Sequence, residues 1–130
     1  DRACYGAPRD RFTAGWILPG EGVRRRSLAA FRGATLAGVG TIRACRDGFK
    51  IGPLFAPDAE AARALFAGLC ALAPAGAVVS LDVPEANAPA VAMAEAAGLA
   101  PAFETARMYR GEAPDLPVGW TWGVTTFELG

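Results

Sequence analysis

Asp82 closes an apolar run, Ala77-Val78-Val79-Ser80-Leu81-Asp82-Val83, that stops at Pro84. A carboxylate at the C-terminal end of a parallel strand points into the crevice where α/β sheets bind ligands. There it would anchor an amine or serve as a general base. Its structural alternative is a cap or an ion pair that holds the Pro84 loop. Tyr109 and Arg107 share one face of a later strand pattern. Tyr109 offers a proton donor, against the alternative of half-buried packing with its hydroxyl at the rim. Arg107 suits a carboxylate or phosphate, or equally a structural pair with Glu104 or Glu128. Trp122, with Trp120, would wall an acceptor pocket or cover the sheet. Histidine is absent, which excludes Ser-His-Asp and Cys-His catalysis and histidine-ligated metal within this chain. The three cysteines (Cys4, Cys45, Cys70) are far apart with no CxxC, so a reducing cytoplasm is expected and no metal site. Cys70 reads as a small packed hydrophobe.

The elements that must position these groups are legible in the middle of the chain. Phe49-Lys50-Ile51-Gly52-Pro53-Leu54-Phe55 reads as a strand, an Ala-rich amphipathic helix follows over 58–73, residues 77–83 form a second strand, and a helix runs from Asn87 to Gly98. Alternating strands and helices of these lengths imply parallel pairing through a right-handed crossover. Pro53 is the misfit, because a central strand does not easily lose a backbone donor. It fits if the parallel strands part there and leave a gap, and such a gap is a place to bind something. Ala62, Leu65, Phe66, Leu69 and Leu72 or Ala73 line the buried face of the first helix. Asn87 is a natural N-cap and Gly98 a natural stop.

Around this unit, Pro8 opens a short helix through Phe12, Trp16 and Ile17 that ends before Pro19-Gly20. Two strands from Ser27 to Arg43, with turns at Gly33 and Asp47-Gly48, join the Pro53 strand as an antiparallel meander. Residues 102–110 read as a strand, and a Pro-rich loop leads to a last strand over 121–129. The expected layout is one domain: a leading helix (1–20), a meander (26–56), a parallel unit (57–98) and a final hairpin (102–130). Beginning at Asp1 without methionine, the chain is expected to be part of something longer.

Bulk composition narrows the classes. Lys plus Arg equals Asp plus Glu at 13 each, so no broad attraction to nucleic acid or anionic membrane is expected. Arg24-Arg25-Arg26 reads as a solvated turn, with a phosphate clamp as the alternative. Although 52% of residues are hydrophobic, no apolar run approaches the roughly 18–20 residues that cross a bilayer.

The order meander, strand-helix-splayed strand-helix, hairpin resembles the GNAT superfamily of acyl-CoA-dependent N-acyltransferases. Asn87-Ala88-Pro89-Ala90-Val91 through Gly98-Leu99 is similar to that superfamily's Asn-Ala helix motif. Lys50-Ile51-Gly52-Pro53-Leu54, Leu81-Asp82-Val83-Pro84, Arg107-Met108-Tyr109-Arg110-Gly111 and the closing Thr125-Thr126-Phe127-Glu128-Leu129-Gly130 resemble the C-terminal half of bacterial proteins built from two GNAT-like modules. The resemblance implies a mixed α/β GNAT-like fold and transfer from acetyl-CoA to a small-molecule or protein amine. Backbone amides of Leu54, Phe55 and Ala56 would hold the pantetheine arm. The helix start at Ala59, Ala61 and Ala62, with Arg63, would receive the pyrophosphate, and Asn87 would border the cofactor. Asp82 and Tyr109 would be catalytic; Arg107 and Trp122 would contact substrate. An upstream GNAT module is the implied partner, and a homodimer through the last hairpin is a third reading.

Two departures favour a catalytically silent half as the alternative. Pro57-Asp58-Ala59-Glu60-Ala61-Ala62 retains only a small residue, Ala62, of the family's phosphate loop. Asp58 and Glu60 would occupy the helix dipole and repel a pyrophosphate, weakening CoA roughly tenfold or more. Ala94 stands where a proton-donating tyrosine is common.

Overall fold

A computed structural model describes residues 1–18 and 24–128. A hairpin of β1 (Arg25–Arg32) and β2 (Thr35–Ala44) opens the sheet, and β3 (Phe49–Phe55) continues it antiparallel. Then come α3 (Ala59–Cys70), β4 (Val79–Leu81), α4 (Ala88–Ala96) and a short β5 (Thr121–Gly123) after a 3₁₀ turn at Val118–Trp120. β4 runs parallel to β3, with Phe49 opposite Val79 and Ile51 opposite Leu81. The mixed α/β fold class and the meander followed by a parallel unit are therefore present.

α3 forms where Asp58 caps it, its carboxylate accepting from Ala61 N at 3.0 Å, and it buries Ala61, Ala62, Leu65, Phe66 and Leu69. These meet Ile42, Ile51, Leu54, Ala90, Met93 and Trp122 in one core. Glycines in β2 let the helix sit close: a Cβ on Gly40 would lie 2.6 Å from Leu69 Cδ1. α4 starts at Asn87, which caps Ala90 N at 3.2 Å, and the chain turns away at Gly98 with φ 79°, a conformation glycine adopts without steric penalty.

On the other face lie two short helices, α1 (Arg2–Tyr5) and α2 (Asp10–Ile17), where one was expected. Gly6, at φ 84°, ends α1 before the Pro8 signal is reached, so the two turns are separate. Trp16 of α2 donates to Gly52 O at 3.0 Å, and Ser27 donates to Ile17 O at 2.8 Å. The stop expected at Pro19-Gly20 lies outside the described residues. Arg25 and Arg26 begin β1 rather than a solvated turn; Arg25 stacks over Trp16 at 5.2 Å and donates to Gly15 O.

The final hairpin does not form. Residues 102–110 adopt no strand and are exposed throughout, and the last strand shrinks to Thr121–Gly123. The reason is competition: β5 pairs with β3, placing Leu54 opposite Gly123 and Phe55 opposite Thr121. Alternating side chains permit a strand, but only a neighbouring backbone makes one. Leu129 lies outside the described residues.

Candidate functional site

The β3–β4 ladder ends at Ile51 and Leu81, two residues short of Pro53. The strands part as the proline demands, and the Gly52–Pro53 peptide is cis. The wedge this opens is occupied by the chain itself. Ala56 N donates to Trp120 O at 3.0 Å, β5 pairs with Leu54 and Phe55, and Val124 N donates to Asp82 O at 3.0 Å. Trp122, 2% exposed, packs in the core and donates its indole N–H to Ala56 O at 3.0 Å. Asn87 fixes the same segment from α4: its amide nitrogen lies 2.9 Å from Thr121 O and 3.2 Å from Gly119 O. The filling is tight, since a Cβ on Gly52 would strike Val124 O and come within 2.6 Å of Thr125 O.

These contacts bear on the groups expected to hold an acyl-CoA. The end of β3, where a pantetheine arm would lie, is lined by the chain's own backbone. Trp122 faces the core and Asn87 is 2% exposed, so both serve to lock β5 in place. At the α3 start, Arg32 donates to Asp58 at 2.8 and 3.0 Å and to Glu60 at 3.0 Å. The Arg32 guanidinium, together with the Ala61 amide, pulls the Asp58 carboxyl from its ordinary 3.8 down to about 2. Both carboxylates are engaged by Arg32 over the first turn, where Ala59, Ala61 and Ala62 would have met a phosphate; Arg63 is exposed. Residues present at the wedge and at the helix start thus do not fit an acyl-CoA. A groove of about 450 Å³ passes Arg24, Arg26, Leu72 and Pro74; none of its lining belongs to the wedge.

Asp82 sits 2.5 Å from Lys50 Nζ, and Lys50 in turn lies over the Phe127 ring at 4.9 Å. The carboxylate is held as half of an ion pair that bridges β3 and β4, the structural alternative foreseen for it. Tyr109 and Arg107 lie in the exposed, irregular stretch after α4, and no hydrogen bond or ion pair links either of them to Asp82, Glu104 or Glu128. The expected catalytic residues are therefore not assembled into one constellation.

Three contributors escaped the sequence reading. Lys50 had a usable signal: in a parallel ladder it faces Ser80, two residues before Asp82, within side-chain reach. Arg32 had none, because its partner Asp58 is 26 positions away at another element's start. Arg9 likewise grips Asp1 at 2.7 and 2.8 Å and donates to Thr125 at 3.2 Å, tying the N-terminal helices to the segment after β5. Burial raises the Cys4 and Cys70 thiols, as expected of packed cysteines. Among the described residues, no group of three or more His, Cys, Asp or Glu side chains could hold a metal ion, and no helix is long and apolar enough to cross a membrane.

A family model described as an acetyltransferase (GNAT) domain matches residues 1–120. A relative named holothin acyltransferase, from Pseudoalteromonas sp. (strain SANK 73390), is 31% identical over 130 residues. The match takes in 100% of this chain and 43% of the relative, so the chain spans less than half of that protein's length. No solved structure matches it.

Proposed function

The chain belongs to the GNAT acetyltransferase family, and from that premise we propose that it is the supporting module of an N-acyltransferase. The whole protein would transfer an acyl group from acyl-CoA to the amine of a small molecule or protein, in a reducing cytoplasm suited to three free cysteines. The donor would be held by a second, upstream GNAT module. In such a reaction the amine attacks the thioester carbonyl, loses its proton and expels CoA as the thiol. This half would complete the acceptor side and brace its partner. The relative's name supports acyl transfer and suggests holothin, or an amine that resembles it, as the acceptor.

The observation that carries the division of labour is the occupied wedge. β5 antiparallel to Leu54 and Phe55, with Trp120 O on Ala56 N, stands where a bound pantetheine arm would run. Exchanging it for a ligand means breaking a backbone ladder and exposing Trp122.

Calorimetric titration of acetyl-CoA and CoA into the 130-residue chain tests this. We expect no binding up to about 1 mM, a free energy near −4 kcal/mol, for the natural chain and for Glu60→Gly alike, because the mutation leaves β5 in place. The full-length protein should bind acetyl-CoA. Binding by the 130-residue chain tighter than about 100 µM would make it the donor-holding transferase module instead.

A further inference from the structure

Residues 102–110 hold a strand's alternation without glycine or proline, yet every one is exposed, Phe103 by 69% and Met108 by 86%. Among the described residues no backbone hydrogen bond involves positions 100–115. The Phe103 ring meets Phe127 edge-on at 5.3 Å. The hairpin mate this segment would use, the stretch from Thr121, is already committed to β3 and to Asp82 O. Filling the wedge has thus left a strand-like segment without a neighbour.

We propose that residues 102–110 become a strand only against a sheet edge supplied by another module of the same polypeptide. This rests on the reading of the chain as one half of a two-module acyltransferase. Neither edge of this sheet suits the segment. β4 offers only three residues, too few for a nine-residue partner, and β1, eight residues long, lies at the opposite end of the sheet, beyond β2, from the β3 side where Phe103 meets Phe127 and Phe127 meets Lys50. Two copies of the segment paired with each other would form an isolated two-stranded ribbon, which is marginal in water. The matched relative, by contrast, is more than twice as long as the stretch this chain covers, enough for a second sheet. The accepting edge should present an apolar surface to Phe103 and Tyr109 and a carboxylate to Arg107, since cross-strand pairs of these kinds stabilise a ladder. On the opposite face it should cover Met108.

Hydrogen exchange read by mass spectrometry, on the natural full-length polypeptide and on the 130-residue chain, decides the matter. Amides of 102–110 should exchange at the unprotected rate in the short chain and at least about 100-fold more slowly in the full-length protein. Thr105→Pro should abolish that protection in the full-length protein while leaving the melting temperature of the short chain unchanged. Equal, fast exchange in both would overturn the proposal. So would concentration-dependent protection in the short chain, which would mean self-pairing, or a fall in its melting temperature with Thr105→Pro, which would mean pairing in cis. Acetyl-CoA binding by the short chain would undo the supporting-module reading without touching the exchange result.

Discussion

The two halves of β3 have different neighbours. Phe49, Lys50 and Ile51 pair in parallel with β4, as the strand-helix-strand pattern requires. Leu54 and Phe55, beyond the proline, pair antiparallel with a strand that arrives more than sixty residues later. Parting two parallel strands exposes backbone donors and acceptors that must find partners. A GNAT domain that binds acyl-CoA can leave that task to its ligand; this chain performs it with its own peptide groups and a buried indole. The lesson is that a proline inside a strand marks where a gap opens and carries no information about what fills it.

The Pro53 half of β3 should suffer most from Trp122→Ala. The indole is buried and hydrogen-bonded, so the loss should cost about 3–5 kcal/mol and be visible as a large fall in the urea midpoint. Asn87→Ala attacks the same half of β3 from α4. It removes the α4 cap and the amide shared among carbonyls of 118–121, at about 2–3 kcal/mol. If the urea midpoint moves little for both variants, β5 does not hold the wedge closed.

The other half is probed through Asp82→Asn, which leaves a half-buried Lys50 without its carboxylate. Stability should drop by about 1–3 kcal/mol, below the full cost of a buried pair because the lysine retains some solvent. Acyl transfer by the full-length protein should stay within about threefold of the natural rate. A rate loss of about a thousandfold at an unchanged melting temperature would return Asp82 to the role of general base.

A smaller effect is expected at the α3 start. Because the folded Asp58 carboxyl titrates near 2 instead of 3.8, the fold favours its charged form. That contribution is complete above about pH 4 and is lost as pH falls towards the folded value. In acid-unfolding curves Asp58→Asn should flatten this limb and lower stability by a constant amount across pH 5–8, leaving the slope there unchanged. Least of all, Tyr109→Phe in the 130-residue chain should shift stability by no more than about 0.5 kcal/mol, since the residue is exposed and lies outside every helix and strand; a larger shift in chemical denaturation would show that residues 102–110 pack within the module.

Much of the central unit was legible because its signals are local. β3 occupies the expected 49–55, Asp58 and Asn87 cap the two helices, and Gly98 ends the second. Each of these follows from a dihedral preference or a side chain reaching its own backbone within a few positions. The Asp58 and Glu60 carboxylates were foreseen as occupants of the α3 dipole, but Arg32 between them was not. Misreadings gathered at 102–128, where alternation predicted two strands and the described residues form one short one.

What the sequence determined by itself is therefore the run of elements from the meander through residue 98, its caps and stops, and the place where two parallel strands must separate. Only the tertiary structure decided that β5 enters that separation, that Lys50 holds Asp82, and that Arg32 reaches Asp58. The physical reason is range. Caps and periodicity act over a turn or two of chain, whereas the wedge's occupant is chosen by competition among backbone edges, here between Ala56 and Trp122, 66 positions apart.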